Sequence, residues 1–262
     1  MRLLNGSTAR TLNFGFDDSR TFSLIATDGG LLDAPAAMDR LQLSPGERAE
    51  VVVRMKPGEH TVLRTYPLDI GLNSWTQRFN GGDDTFDVLE LRAAAEFTPS
   101  PDLPTQLAHL DLPTGKNPAR TRTFDLQGVR INGKAMDMNR VDARVTRGTE
   151  EIWKITNTDG APHNFHVHDV RFKILDVDGK TPPAHLRGAK DTVFLPPQTT
   201  VRIARSGVPA CSASASAHFS VSWSQEHPWA PEMMKGRFGF LRTAPHQRLC
   251  RVGTTGFEPA TP

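Results

Sequence analysis

Three of the nine histidines fall within six residues, His163-Asn164-Phe165-His166-Val167-His168, and an apolar, β-rich run through Phe172 follows them. Imidazole is a ligand for copper, zinc, iron and nickel, so the cluster predicts metal binding without naming the metal. In a strand, successive side chains alternate between faces, which puts His166 and His168 on one face, roughly 6.5–7 Å apart. Both rings can then reach neighbouring metals. His163 has the opposite parity and follows Ala161-Pro162, where the chain is biased toward a turn or a strand entry. It points to another side and serves another site. The alternative is three ordinary histidines on a surface strand, against which their crowding counts.

The elements that must hold these residues are short strands. Twenty prolines, 21 glycines and many short apolar alternations favour an all-β protein rich in turns. A chain of 262 residues fits one large or two medium domains and can bury a real core. A net charge of +2 gives no case for a nucleic-acid partner. No apolar run approaches a membrane span, and the first residues carry no signal-peptide apolar region. Cys211 and Cys250 are too few for a disulfide framework and lack zinc-ribbon spacing.

Along the chain, Phe22–Ala26 reads as a strand, Asp28-Gly29-Gly30 as a turn, and Ser44-Pro45-Gly46-Glu47 as a turn before a mostly buried strand, Ala49–Val53. Phe86–Leu91 alternates and closes a first unit over 1–96. His60 in that unit is alone and reads as structural. Residues 97–122, with five prolines, read as a linker. In the second unit, 123–243, Val129–Lys134 reads as strand and turn. Glu151–Thr156 alternates as a half-buried strand whose Trp153 belongs in the core. The His strand, Thr192–Leu195 and Thr200–Ile203 follow. Residues 244–262 are polar and aperiodic, are expected to be disordered, and look like a reading frame run past its end.

The stretch APHNFHVHDVRFKILDVDG resembles the segment HPFHxHxxxFxVLxxxG of the last cupredoxin domain of multicopper oxidases, departing at Asn164, where that family more often has Pro. Residues RLLNGSTAR through LQLSPGERAEVVV resemble the family's middle domain, which carries no copper. Gly188–Leu195 is similar to its W-K-D-T-V strand, with Ala189 in place of Trp. The resemblance implies two tandem Greek-key cupredoxin-like β-sandwiches. It implies copper as cofactor, with His163 on the mononuclear copper and His166 and His168 on the trinuclear cluster. The reaction implied is one-electron oxidation of phenols, aromatic amines or metal ions, coupled to reduction of O2 to water. The partners implied are O2 and a small reducing substrate, and the family is commonly exported.

The family's downstream His-Cys-His motif is not readable. Aligning His227 with its later His leaves Val221, Ser222 and Trp223 at those positions, and a neutral hydroxyl cannot stand in for a thiolate. His227 and Met233 are carried over as the remaining candidate ligands, at a separation one residue longer than the motif. Met233–Phe238 resembles the family's closing segment, so a compensated frameshift across about residues 205–231 is expected. The first domain, with two further His-x-His motifs, is expected to be missing. The chain therefore reads as an oxidase fragment, inactive in isolation, that needs that domain or another subunit. The alternative is a non-catalytic copper-binding or interaction module.

Overall fold

The computed structural model describes residues 1–206, except 99, 138, 139, 147 and 169. In the first half, eight strands form two antiparallel sheets: β1 (Arg2–Leu4), β2 (Leu12–Phe16), β3 (Phe22–Thr27), β4 (Gly30–Met38), β5 (Leu41–Leu43), β6 (Arg48–Val52), β7 (His60–Thr65) and β8 (Phe86–Arg92). The sheet orders are β1-β6-β3-β4 and β5-β2-β7-β8. Alternation drives the pairing, because Phe22 and Leu24 of β3, Val51 of β6 and Leu63 of β7 all turn into one core around Phe16. Strand β6 is not buried along its length as expected. Only Ala49 and Val51 face inward, and Arg48, Glu50 and Val52 line the other side of the sheet.

Two elements of this half escape the sequence patterns. Strand β4 contains Pro35 and lies at a sheet edge, the position where a missing N–H is tolerated. Helix α1 (Ser74–Phe79) buries no residue and so has no amphipathic period to read. Its start is marked by Asn73, whose side chain accepts the Thr76 N–H at 3.0 Å. The turn at 44–47 forms as expected. Gly46 adopts φ +83°, and the Glu47 carboxylate accepts from the Ser44 N–H and hydroxyl, each at 2.7 Å.

The second half adds β9 (Arg120–Gln127), β10 (Arg130–Ile131), β11 (Lys134–Ala135), β12 (Glu150–Asn157), β13 (His163–His166), β14 (Phe172–Val177), β15 (Thr192–Leu195) and β16 (Thr200–Ser206). A six-stranded sheet, β11-β10-β9-β12-β16-β14, packs on the two-stranded β13-β15. Strand β9 begins at Arg120, inside the stretch read as linker, and pairs in parallel with β12. Between the halves, the Leu107 N–H bonds Asp33 O at 2.8 Å, and Gly115 N–H reaches the Glu150 carboxylate. The crossing segment is thus tied down at both ends. Trp153 is fully buried, with ring centroids 4.9 Å from Phe124 and 6.3 Å from Phe165. The chain is all-β and forms two cupredoxin-like sandwiches.

Candidate metal centre

Strand β13 has a core face and a seam face. His163, Phe165 and the following Val167 turn into the second sandwich, where all three are buried. Asn164 and His166 turn toward the first sandwich, where the Asn164 side chain donates to Pro45 O at 2.8 Å. The register with β15 places His163 opposite Leu195 and His166 opposite Thr192.

The turn before β13 positions His163. Fully buried Asn157, at the end of β12, donates its side-chain amide to Ala161 O and Leu195 O at 2.8 and 3.0 Å. Its side-chain oxygen accepts the Asp159 N–H at 2.9 Å, which aims Asp159 at the ring. Asp159 Oδ2 lies 3.0 Å from His163 Nε2 and also accepts the Gly128 N–H at 2.7 Å. Burial pushes the Asp159 carboxyl up, but the Gly128 N–H and His163 outweigh it, so it titrates below its usual range. An ionised carboxylate only accepts, so Nε2 carries the ring proton and Nδ1 carries the lone pair. That Nδ1 is buried and has no hydrogen-bond partner among the described residues. Leaving such an atom unpaired costs about 1–3 kcal/mol, and a ligand removes the cost.

His166 is held the other way round. Its Nδ1 lies 3.0 Å from the backbone oxygen of Asp191 and 2.9 Å from Thr192 Oγ1. A carbonyl oxygen only accepts, so the neutral ring keeps its proton on Nδ1 and offers Nε2. The Asp191 carboxylate, 3.5 Å from Nδ1, raises the ring's proton affinity although burial opposes it. Asp191 itself is pushed up by burial, but His166, Arg48 and Thr192 together hold it far below the usual carboxylate range.

His168 lies two residues past the end of β13, in a turn rather than on the expected strand face. It nonetheless meets His166, their ring centroids standing 4.7 Å apart at 72°. The structure brings these two together and points His163 into the core. His227 and Met233 lie outside the described residues, as do Cys211 and Ser222. Among the described residues, no group of three or more His, Cys, Asp or Glu side chains converges as a complete metal site. The anchors Asp159 and Asp191 were not singled out from sequence. The clue was that one sits four residues before His163 and the other beside β15, the partner strand.

Family models described as multicopper oxidase match residues 1–74 and 101–208. Among curated proteins, a multicopper oxidase of Staphylococcus epidermidis is 30% identical over 211 residues, 78% of this chain and 41% of the relative. A cell division protein FtsP of Photorhabdus laumondii is 36% identical over 200 residues, 74% of this chain and 42% of the relative. The chain thus spans about two-fifths of the length of these relatives. Among solved structures, a laccase-like multicopper oxidase CueO from Ochrobactrum superposes with a TM-score of 0.66 at 31% identity, over 79% of this chain and 48% of that one. A laccase from Pediococcus acidilactici gives 0.66 at 30%, over 79% and 43%. Matched by multicopper oxidase models along both of its sandwiches, the chain belongs to the multicopper oxidase family, whose cofactor is copper.

Proposed function

We propose that this chain is a fragment of a multicopper-oxidase-type oxidoreductase that carries part of its copper ligands. On this reading His163 serves a mononuclear copper, and His166 and His168 serve a trinuclear cluster. The observation that carries the reading is the pair of opposed lone pairs on one strand. His163 offers a buried Nδ1 with no partner among the described residues, and His166 offers Nε2 from the other face. Nitrogen donors of this kind suit copper. When bound, copper supplies one-electron oxidation of a small reducing substrate and reduction of O2 to water.

The chain's own residues do the holding. Asp159 and Asn157 fix the His163 ring, and Asp191 and Thr192 fix that of His166. Two histidines do not complete a trinuclear site, so on this reading the remaining ligands come from a first domain of a longer protein or from another subunit. The isolated chain is therefore inactive, and an exported location accompanies the reading. A second reading, a non-catalytic copper-binding or interaction module, is favoured by the relatives named cell division protein FtsP.

Copper titration of the purified chain tests this. We expect binding of at most about two Cu(II) ions, without the intense absorption of a copper–thiolate bond. His166→Ala and His168→Ala should each remove most of the affinity of one of these sites, and His163→Ala should leave that site intact. Oxidation of a phenolic dye should stay at the free-copper background. Affinity unchanged in all three variants would sink the metal reading, and turnover abolished by His166→Ala would sink the claim of inactivity.

A further inference from the structure

The seam between the sandwiches is tight and charged at residues 188–191. A Cβ added at Gly29 would lie 2.6 Å from the Ala189 Cβ, and one at Gly188 would lie 2.5 Å from Thr27 Oγ1. Each glycine therefore lets its backbone lie directly against the facing segment, where a side chain has no room. Ala189 O accepts from the Gly29 N–H and from the Thr27 hydroxyl, both at 2.8 Å. Lys190, 1% exposed, donates to Glu47 Oε1 at 2.7 Å and lies 2.8 Å from Asp28 Oδ2. Arg48 grips the next residue, with Nη1 and Nη2 3.0 and 2.6 Å from the two Asp191 carboxylate oxygens. Arg48 is itself fixed by its N–H on Asp28 Oδ1 at 2.7 Å and by Nη2 on Asp28 O at 2.8 Å.

We propose that Arg48, in the sandwich that supplies none of the candidate ligands, is a positioning residue that sets which nitrogen His166 offers to metal. The proposal rests on the metal reading of His166 and His168. The relay is one of hydrogen-bond direction. The Arg48 fork holds the Asp191 carboxylate where Oδ1 takes the Thr192 hydroxyl proton, at 2.8 Å. With its one proton committed there, Thr192 Oγ1 can only accept, and it accepts from His166 Nδ1 alongside the Asp191 carbonyl. Both neighbours of Nδ1 are then acceptors, which leaves Nε2 as the donor to metal. Without the fork, the carboxylate turns away and the Thr192 hydroxyl is released to donate to Nδ1. The Asp191 carbonyl still accepts from Nδ1, so the ring divides between two tautomers, and the share that carries its proton on Nε2 blocks the nitrogen that metal needs.

Long-range proton–nitrogen correlation spectra of the metal-free, nitrogen-15-labelled chain, at alkaline pH where the ring is neutral, read the tautomer directly. The wild-type chain should show His166 protonated on Nδ1. Arg48→Met should populate the Nε2–H form and weaken Ni(II) binding at the His166–His168 pair by about tenfold. Adding Thr192→Val removes the competing donor, so the double variant should return to Nδ1–H. A loss through general loosening would not be rescued in this way. Arg122→Met breaks a different Arg–carboxylate pair, Arg122–Glu151, and should leave the tautomer alone. If Arg48→Met does not fold, Arg48→Lys, which keeps the charge and loses the fork, should show a partial switch. An unchanged tautomer in a folded Arg48 variant, or no rescue by Thr192→Val, overturns the proposal. Absence of Ni(II) binding by the wild-type chain would count against the metal reading, and the tautomer spectra would still decide the role of Arg48.

Discussion

The two faces of β13 carry similar chemistry by different means. On the core face, His163 is anchored by Asp159, four residues away, within a loop of its own sandwich. On the seam face, His166 is anchored at Asp191, which is gripped by an arginine 143 residues earlier in the chain, in the other sandwich. The first arrangement is local and shielded by an aromatic core. The second depends on a buried ion cluster and on the two sandwiches staying together. One imidazole is thus fixed wholly by its own unit, whereas the other is held by Asp191 and Thr192 of its own unit with the Asp191 carboxylate gripped from across the seam.

The largest test of this contrast is Lys190→Met. It leaves Asp28 and Glu47 buried without their cation, and removing one partner of such a cluster costs about 3–5 kcal/mol. Urea unfolding should show that loss, and His163 should keep its Nε2–H tautomer while the seam loosens. A loss below about 1 kcal/mol would mean that the cluster is solvated and the seam is not what holds it.

Asp159→Ala probes the other face and should cost less, about 1–3 kcal/mol, because it orphans the Gly128 and Gly160 N–H groups and His163 Nε2. It should free the His163 tautomer and leave that of His166 untouched. A change at both rings in the same spectrum would show that the two faces are coupled through β13 and that neither anchor is independent.

Local signals made the first arrangement more legible than the second. The crowding of His163, His166 and His168, the alternation of Glu151–Thr156 and the turn at Ser44–Glu47 are all short-range patterns, and each corresponds to an element of the fold. The hairpin at Asn132-Gly133, with φ of 51° and 73°, is of the same kind. The seam was not legible, because nothing in the separate spellings Asp28, Glu47-Arg48 and Lys190-Asp191 tells which acid meets which base. The end of β13 also departs from the sequence pattern. Period-2 alternation continues through Val167-His168, whereas the strand stops at His166 and a turn brings the two rings together.

The smallest expected effect is one of sign. Glu151, on the core side, accepts from Arg122 at 2.7 and 2.9 Å and from Trp153 Nε1 at 2.8 Å. Burial pushes its carboxyl up, but those donors outweigh burial and hold it below the usual range. The unfolded chain then binds that proton more tightly. The contribution of Glu151 is fully present above the unfolded value of about 4.3 and is lost as pH falls through the lower folded value. Asp28, on the seam, is pushed up by burial, which outweighs the opposing pull of Lys190, and the nearby Glu47 adds to the rise. Here the folded chain binds the proton more tightly. The contribution is greatest below about 3.9 and is lost as pH rises through the raised folded value. Glu151→Gln should therefore flatten the acid loss of stability, whereas Asp28→Asn should flatten a loss that runs in the opposite direction. Urea midpoints between about pH 2 and 7 measure both slopes. Changes of the same sign would mean that Lys190 neutralises Asp28 as fully as Arg122 neutralises Glu151, and that the two faces are held alike.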